Sequence, residues 1–162
     1  MTTGLDDHDY DLAAAGIVKE FLIRGLPSGY TVALGPVDTS ECPYDIRVRQ
    51  LQSSLKVAFN KEGTLKFVVA IDAMSGNSAA AEIYNIIQFN WMKSNPMDVE
   101  DLQTVGRLAS VNGILFGRVS CLERAMNDGR TEITYRFVWE LANTETGVLD
   151  LSHEQKIRKN TR

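Results

Sequence analysis

The last third of the chain alternates apolar and polar residues with a period of two, as the two faces of a β-strand require. Ile133 to Leu141 places five apolar side chains on one face, and the last segment, Leu149 to Arg158, alternates in the same way. Asn127-Asp128-Gly129, a strong tight-turn sequence, joins Ile133–Leu141 to a preceding strand, Ile114 to Leu122. Another turn spans 143–147. These signals predict a three-stranded antiparallel meander.

The earlier residues predict helices that alternate with strands. The first helix starts at Asp6 or Asp7 and ends at Arg24-Gly25, and the second starts at Asp45 and ends at Gly63. The third carries the apolar stripe Ala79, Ile83, Ile86, Ile87 and Asn90, and the fourth is capped by Asp98 and buries Leu102, Val105 and Ala109. The predicted strands are Tyr30–Leu34, ended by Gly35-Pro36, and Leu65–Ile71.

The predicted order is therefore α-β-α-β-α-α-β-β-β. Two α/β crossovers followed by a meander indicate an α/β fold whose mixed sheet is parallel in its first part and antiparallel in its C-terminal part, with helices packed on it. No linker or repeat divides the chain, so residues 1–162 are expected to form a single domain.

The sequence carries little that indicates catalysis. Glycine-rich nucleotide-binding motifs and a G-x-S-x-G elbow are absent. His8, among aspartates beside the first helix, is more typical of a solvated helix start than of a metal site, and His153 is predicted as a hydrogen-bonded, half-buried residue rather than a general base. We therefore predict no catalytic, cofactor-binding or metal-binding residue.

Charge and aromatic residues narrow the class of partner. The net charge of −4 argues against a nucleic-acid-binding protein, and Tyr135, Phe137 and Trp139 lack the interleaved cations of a base-stacking surface, so burial in the core is expected. Trp91 is left with two interpretations, an exposed protein contact or packing on the end of its helix.

The two cysteines do not decide the cellular compartment of the protein. Cys42 and Cys121 lie far apart without metal-ligand spacing, which favours two unrelated small apolar side chains, with a disulfide as the main alternative. The first residues lack the basic and apolar regions of a signal peptide, so they fit a cytoplasmic chain and a processed secreted domain equally.

Three stretches resemble one family. The opening Thr2-Thr3-Gly4-Leu5-Asp6-Asp7-His8-Asp9-Tyr10-Asp11, followed by Ala13-Ala14, is similar to the T-T-G-L-D-x-x-D-[FY]-x-x-A-A start of the globular domain in LpoB-type penicillin-binding protein activator lipoproteins. The segment from Ile46 to Val69 resembles that family's central helix and strand. The C-terminal residues Gly113–Val119, Glu140-Leu141, Glu145-Thr146-Gly147 and Glu154–Lys159 resemble its last strands.

The resemblance implies a TolB-N-terminal-like fold and a non-enzymatic function. The domain would bind and activate a class A bifunctional penicillin-binding protein as a monomer, at the periplasmic face of the outer membrane. A signal peptide, lipidated cysteine and tether absent from this sequence would anchor it there. The partner-binding residues are expected in the opening and in the loop after the first strand: Asp6, Asp7, Tyr10, Asp38, Thr39 and Tyr44. The rival hypothesis is an oligomerising component of an outer-membrane secretion or appendage system, of the curli-transport or flagellar-lipoprotein kind.

Overall fold

The computed structural model describes residues 4–63, 65–69 and 76–160, with the side chain of Val69 excepted. In these ranges the helices are α1 (Asp7–Arg24), α2 (Val48–Glu62), α3 (Ser78–Met92) and α4 (Val99–Ala109). The strands are β1 (Thr31–Asp38), β2 (Lys66–Val69), β3 (Gly113–Ala125), β4 (Thr131–Asn143) and β5 (Leu149–Asn160). The predicted order of elements is confirmed. Among the described residues, no helix combines the length and apolar character that a bilayer span requires.

One mixed sheet connects the five strands in the order β2-β1-β3-β4-β5. β1 lies between β2 and β3 and is parallel to both, whereas β3, β4 and β5 are antiparallel to their neighbours. Helical crossovers produce the parallel half, and two tight turns produce the antiparallel half. The predicted α/β class, with its parallel first part and C-terminal meander, is confirmed.

Apolar layers fill both sides of the sheet. Helices α1 and α2 cover one face, where Phe59 lies between Phe21 and Phe67, and the buried Tyr135, Phe137 and Trp139 of β4 belong to the same layer. Helices α3 and α4 cover the other face. Among the described residues, the sheet residues of their layer come from β1, the beginning of β3 and the end of β4, namely Ala33, Ile114, Phe116 and Ala142, with Val68 of β2 packed beside them. Among the described residues, no helix packs over the later half of β3 or over the neighbouring parts of β4 and β5 on that face.

Two predicted boundaries are wrong. β1 continues through Gly35 and Pro36 to Asp38, with a shift in its pairing to β3 between Leu34 and Val37. A proline fits such an irregularity because its missing N–H interrupts the ladder there. Gly35 allows close approach, since a Cβ at that position would lie 2.9 Å from the Ile114 side chain. Helix α2 begins at Val48 rather than at Asp45.

The predicted apolar stripe of α3 is correct for Ile83 and Ile87, which pack toward the core, and wrong for Ala79 and Ile86, which are exposed. Ile86 and Phe89 are 50% and 59% exposed, whereas the buried residues are Ala80, Tyr84, Ile87 and Trp91. Trp91 stacks on Phe116 with 5.0 Å between ring centroids, so it packs at the end of its helix. Apolar residues occur on nearly every side of this helix, so its periodicity does not select a face. Residues 70–71 of the predicted central strand and Ser75 of the following turn lie outside the described residues.

Candidate functional site: the disulfide-tethered loop

The loop of residues 39–47 is fixed to the sheet by a disulfide. Cys42 and Cys121 are bonded, with 4.7 Å between their Cα atoms, which is within the ordinary range for disulfides. This bond corrects the expectation of two unpaired cysteines. It follows from topology, because β1 ends beside β3 and the loop that follows β1 continues along the free side of β3.

A reciprocal capping box starts helix α1. The Asp6 carboxylate accepts the N–H of Asp9 at 3.0 Å, and the Asp9 carboxylate accepts the N–H of Asp6 at 2.9 Å. The hydrogen bond from the Asp9 backbone, aided by Lys159, holds the pKa of Asp6 below its ordinary value. The Lys159 ammonium lies 2.8 Å from the Asp9 carboxylate, so the first helix and the last strand share this cluster.

Arg47 joins the loop to the start of α1. Its backbone N–H donates to the Tyr10 hydroxyl at 2.9 Å, and its guanidinium lies over the Tyr10 ring, 5.6 Å from the centroid. The same guanidinium is 3.7 Å from Asp7 and donates to the Leu5 carbonyl at 3.4 Å. The end of the loop therefore lies against the start of α1, where Asp6, Asp7 and Tyr10 are found.

Asp38 ends β1 as a buried carboxylate. It accepts the Ser40 N–H at 3.0 Å and the Arg118 Nε–H at 3.3 Å. Burial alone would raise the pKa of Asp38, but these donors outweigh it and bring the pKa below the ordinary value. Arg118 is itself fixed over the Trp91 ring, 4.8 Å from its centroid, so Asp38 has a definite internal partner.

Tyr44 is held on the outer side of the loop. Its hydroxyl donates to the Glu123 carboxylate of β3, and its ring packs edge-on against Tyr135 at 6.3 Å between centroids. The hydrogen bond to Glu123 raises the pKa of Tyr44. Because Tyr44 is only half-buried, one side of its ring remains accessible.

The six sequence-selected residues divide into surface and internal positions. Asp6 and Asp7 have side chains that are 64% and 75% exposed, and Thr39 and Tyr44 are half-buried. Tyr10 is fully buried and Asp38 is 6% exposed, so both support the loop from inside. We name the exposed surface formed by Asp6, Asp7, Thr39, Glu41, Tyr44 and Glu123 the tethered-loop face; its contact with a partner stays a prediction.

Sequence reasoning missed the residues that build this face from within. Neither Arg47 nor Glu123 was selected, and the Cys42–Cys121 bond was only the alternative to two unpaired cysteines. Their contacts span between 37 and 79 residues of sequence, as for Arg47 with Tyr10 and Cys42 with Cys121, and no local pattern encodes such distances. Only the motif-like Asp6–Tyr10 opening gave a usable signal.

The two histidines lie in different settings. His8 is exposed, and half-buried His153 places Nδ1 3.6 Å from the Glu20 carboxylate, while its buried Nε2 has no hydrogen-bond partner within the described residues. In the same described residues, no group of three or more His, Cys, Asp or Glu side chains is arranged to hold a metal ion.

Comparison with known proteins identifies the fold. Neither a family model nor a curated protein sequence matches the chain. Among solved structures, the LpoB C-terminal domain from Salmonella enterica is 14% identical, with a TM-score of 0.59 over 92% of this chain and 98% of that one. This chain has the LpoB C-terminal domain fold. The Escherichia coli domain matches with the same coverage and identity and a TM-score of 0.57.

A further solved structure, of a lipoprotein, has a related arrangement. GNA1162 from Neisseria meningitidis is 12% identical, with a TM-score of 0.50 over 82% of this chain and 84% of that one. The LpoB likeness confirms, at the level of fold, the resemblance noted in the opening and C-terminal residues.

Proposed function

We propose that this domain binds and activates a class A bifunctional penicillin-binding protein without catalysing a reaction itself. The observation that carries the proposal is the LpoB fold, which extends over 92% of this chain and 98% of the LpoB C-terminal domain. The sequence resemblance supports it independently, because the opening that resembles the family's start forms the capping box and the Tyr10–Arg47 contact.

The disulfide supports a periplasmic location. Such bonds persist in oxidising compartments such as the bacterial periplasm and are rare in the cytosol. We propose that the full-length protein is held at the periplasmic face of the outer membrane by a lipid anchor. The upstream reading frame tests this point, since a signal peptide that ends in a lipobox cysteine is expected there and its absence would count against the anchor.

We propose the tethered-loop face as the docking surface. Its exposed carboxylates Asp7 and Glu41 favour a partner surface that carries lysine or arginine. The Cys42–Cys121 bond and the Arg47 contacts hold the loop in one conformation before docking, which reduces the entropy lost on binding. Activation then follows if the domain binds the active conformation of the synthase better than the inactive one.

The direct test is polymerisation of lipid II by the class A synthase of the same organism, with and without the domain. Acceleration is expected with the wild-type chain and is expected to fall in Asp7→Lys and Tyr44→Ala. Glu145→Lys is the matched charge reversal, because Glu145 is exposed in the distant 143–147 turn. Absence of both binding and acceleration at micromolar concentration refutes the proposed function. Equal activity of all variants refutes the tethered-loop face as the docking surface.

The oligomeric state distinguishes the rival hypothesis. We propose a monomer, and sedimentation velocity at several concentrations is expected to give the mass of a single 18.0 kDa chain. An assembly component that works as a ring would instead sediment as a larger species whose size does not change on dilution.

A further inference from the structure

An open groove lies on the half of the sheet that α3 and α4 leave uncovered. It is formed by outward side chains of β3, β4 and β5 and has a volume of about 510 Å³. The polar residues that line it are Ser120, Arg124, Glu132, Thr134, Arg136, Lys156 and Arg158. This surface lies on the face opposite α1 and α2 and has no part in the proposed docking face.

Strand register places the groove's cations around one residue. Thr134 pairs across the sheet with Leu122 on one side and with Arg158 on the other. Arg136, the next residue on the same face of β4, is directly opposite Lys156. Side chains two positions apart on a strand are about 7 Å apart and cross-strand neighbours about 5 Å, so these cations surround the Thr134 hydroxyl within reach of a common ligand. Arg124 completes the set from the diagonal position on β3.

The local charge contrasts with that of the whole chain. The chain carries a net charge of −4, whereas the groove lining has four cations and a single carboxylate, Glu132. Some of these charges are paired: Arg136 and Lys156 share Glu154 at 2.6 and 3.6 Å, and Arg124 lies 3.3 Å from Glu132. Arg158 forms no ion pair within the part of the chain that the structure describes.

The edge position of β5 accounts for part of this arrangement, because cations on an edge strand discourage pairing with another chain. Like charges directly opposite each other on neighbouring strands, such as Arg136 and Lys156, destabilise a sheet. Glu154, which Arg136 and Lys156 share, offsets their repulsion, whereas no such carboxylate pairs with Arg158 among the described residues. The convergent cations therefore indicate an anionic ligand.

We propose that this groove binds the phosphate group of a ligand, with its oxygens above the Thr134 hydroxyl and between the Arg136 and Arg158 guanidiniums. Arginine forks match the geometry of phosphate oxygens, and an anion with three or more terminal oxygens can be bound from several sides at once. Leu122, 69% exposed at the edge of the groove, gives an apolar contact for the part of the ligand next to the phosphate. The inference does not depend on the proposed activation of a synthase.

Inorganic pyrophosphate is the probe for the first experiment. Titrated into the 15N-labelled chain, it is expected to shift the amide signals of β3, β4 and β5 around Thr134 in a saturable way. Arg158→Gln and Arg136→Gln are each expected to weaken binding about tenfold, the loss typical of one charge-assisted hydrogen bond. Arg107→Gln removes the same charge from an exposed position on α4 and is expected to leave binding unchanged.

The outcomes separate a specific site from general attraction. Shifts that stay linear up to about 10 mM, or equal losses in Arg107→Gln and Arg158→Gln, would overturn the proposal. Because Arg136→Gln also removes an ion-pair partner of Glu154, the thermal unfolding of this variant is recorded as well. If Arg136→Gln unfolds, Arg158→Gln alone still decides the test.

A second arm distinguishes the source of the phosphate. Vesicles of phosphatidylglycerol and phosphatidylcholine are sedimented with the chain, alongside vesicles of phosphatidylcholine alone. Co-sedimentation that needs the anionic lipid and is lost in Arg158→Gln identifies a lipid headgroup. Saturable pyrophosphate binding without such co-sedimentation identifies a soluble phosphorylated ligand, and failure in both arms overturns the site.

Discussion

Removal of the Cys42–Cys121 bond is expected to destabilise the domain strongly. The bond closes a loop between residues 79 apart in sequence, and the loss of loop-closure entropy from the unfolded chain corresponds to about 4.5 kcal/mol at 25 °C. Domains of this kind have a free energy of unfolding of roughly 5–15 kcal/mol, so the loss is a large fraction of the total. The melting temperature is expected to fall by roughly 9–18 °C.

Urea denaturation of Cys42→Ala/Cys121→Ala beside the wild type measures this loss. Alanine is chosen because Cys42 is buried, where a serine hydroxyl would add a desolvation penalty of its own. Reductant provides the matched control: it should bring the wild type down to the stability of the double variant and leave the variant unchanged. A loss below about 1 kcal/mol, or an equal effect of reductant on both proteins, would refute a stabilising role for the bond.

Three further predictions concern the core and one carboxylate. Gly117→Ala is expected to cost about 1–3 kcal/mol in urea denaturation, because its Cβ would lie 2.6 Å from the ring of the buried Trp139; an unchanged midpoint would contradict this packing. Ile87→Ala should lose about 2–5 kcal/mol and Ile86→Ala less than about 0.5 kcal/mol, and equal or reversed losses would contradict the burial of Ile87 and the exposure of Ile86. Asp38 has a folded pKa below its ordinary 3.8, so its stabilisation is complete above about pH 4 and is lost as pH falls further. Melting temperatures between pH 6 and pH 3 should therefore decline less steeply for Asp38→Asn than for the wild type, and parallel curves would argue against this linkage.

The meander could be predicted because its signal is local. From Ile133 to Leu141 in β4, the alternation of apolar and polar residues shows which side chains face the core, and Asn127-Asp128-Gly129 fixes the turn. The boundary of β1 could not be predicted in this way. Gly35 and Pro36 end a strand by their own preferences, and only the neighbouring β3 explains why the chain continues extended to Asp38.

The candidate site could be predicted only in part. The Asp6–Tyr10 opening and the loop after β1 were selected from the sequence, and the structure places them side by side. The sequence favoured unpaired Cys42 and Cys121 over a disulfide, because pairing depends on which strands are neighbours and cysteine spacing carries no such information. The cation groove was missed for the same reason, since Arg136 and Arg158 come together only through β4–β5 register.

The contact of Lys159 with Asp6 and Asp9 joins the first helix to the last strand. The start of α1 and the end of β5 are thus neighbours in space, although these residues are about 150 positions apart in sequence. A short linker across this junction, with new termini opened in the exposed Ser94–Pro96 turn between α3 and α4, should give a circular permutant that keeps every strand pair. During synthesis, α1 emerges before β5. The Asp9 carboxylate of α1 therefore gains its lysine partner only when β5 is complete.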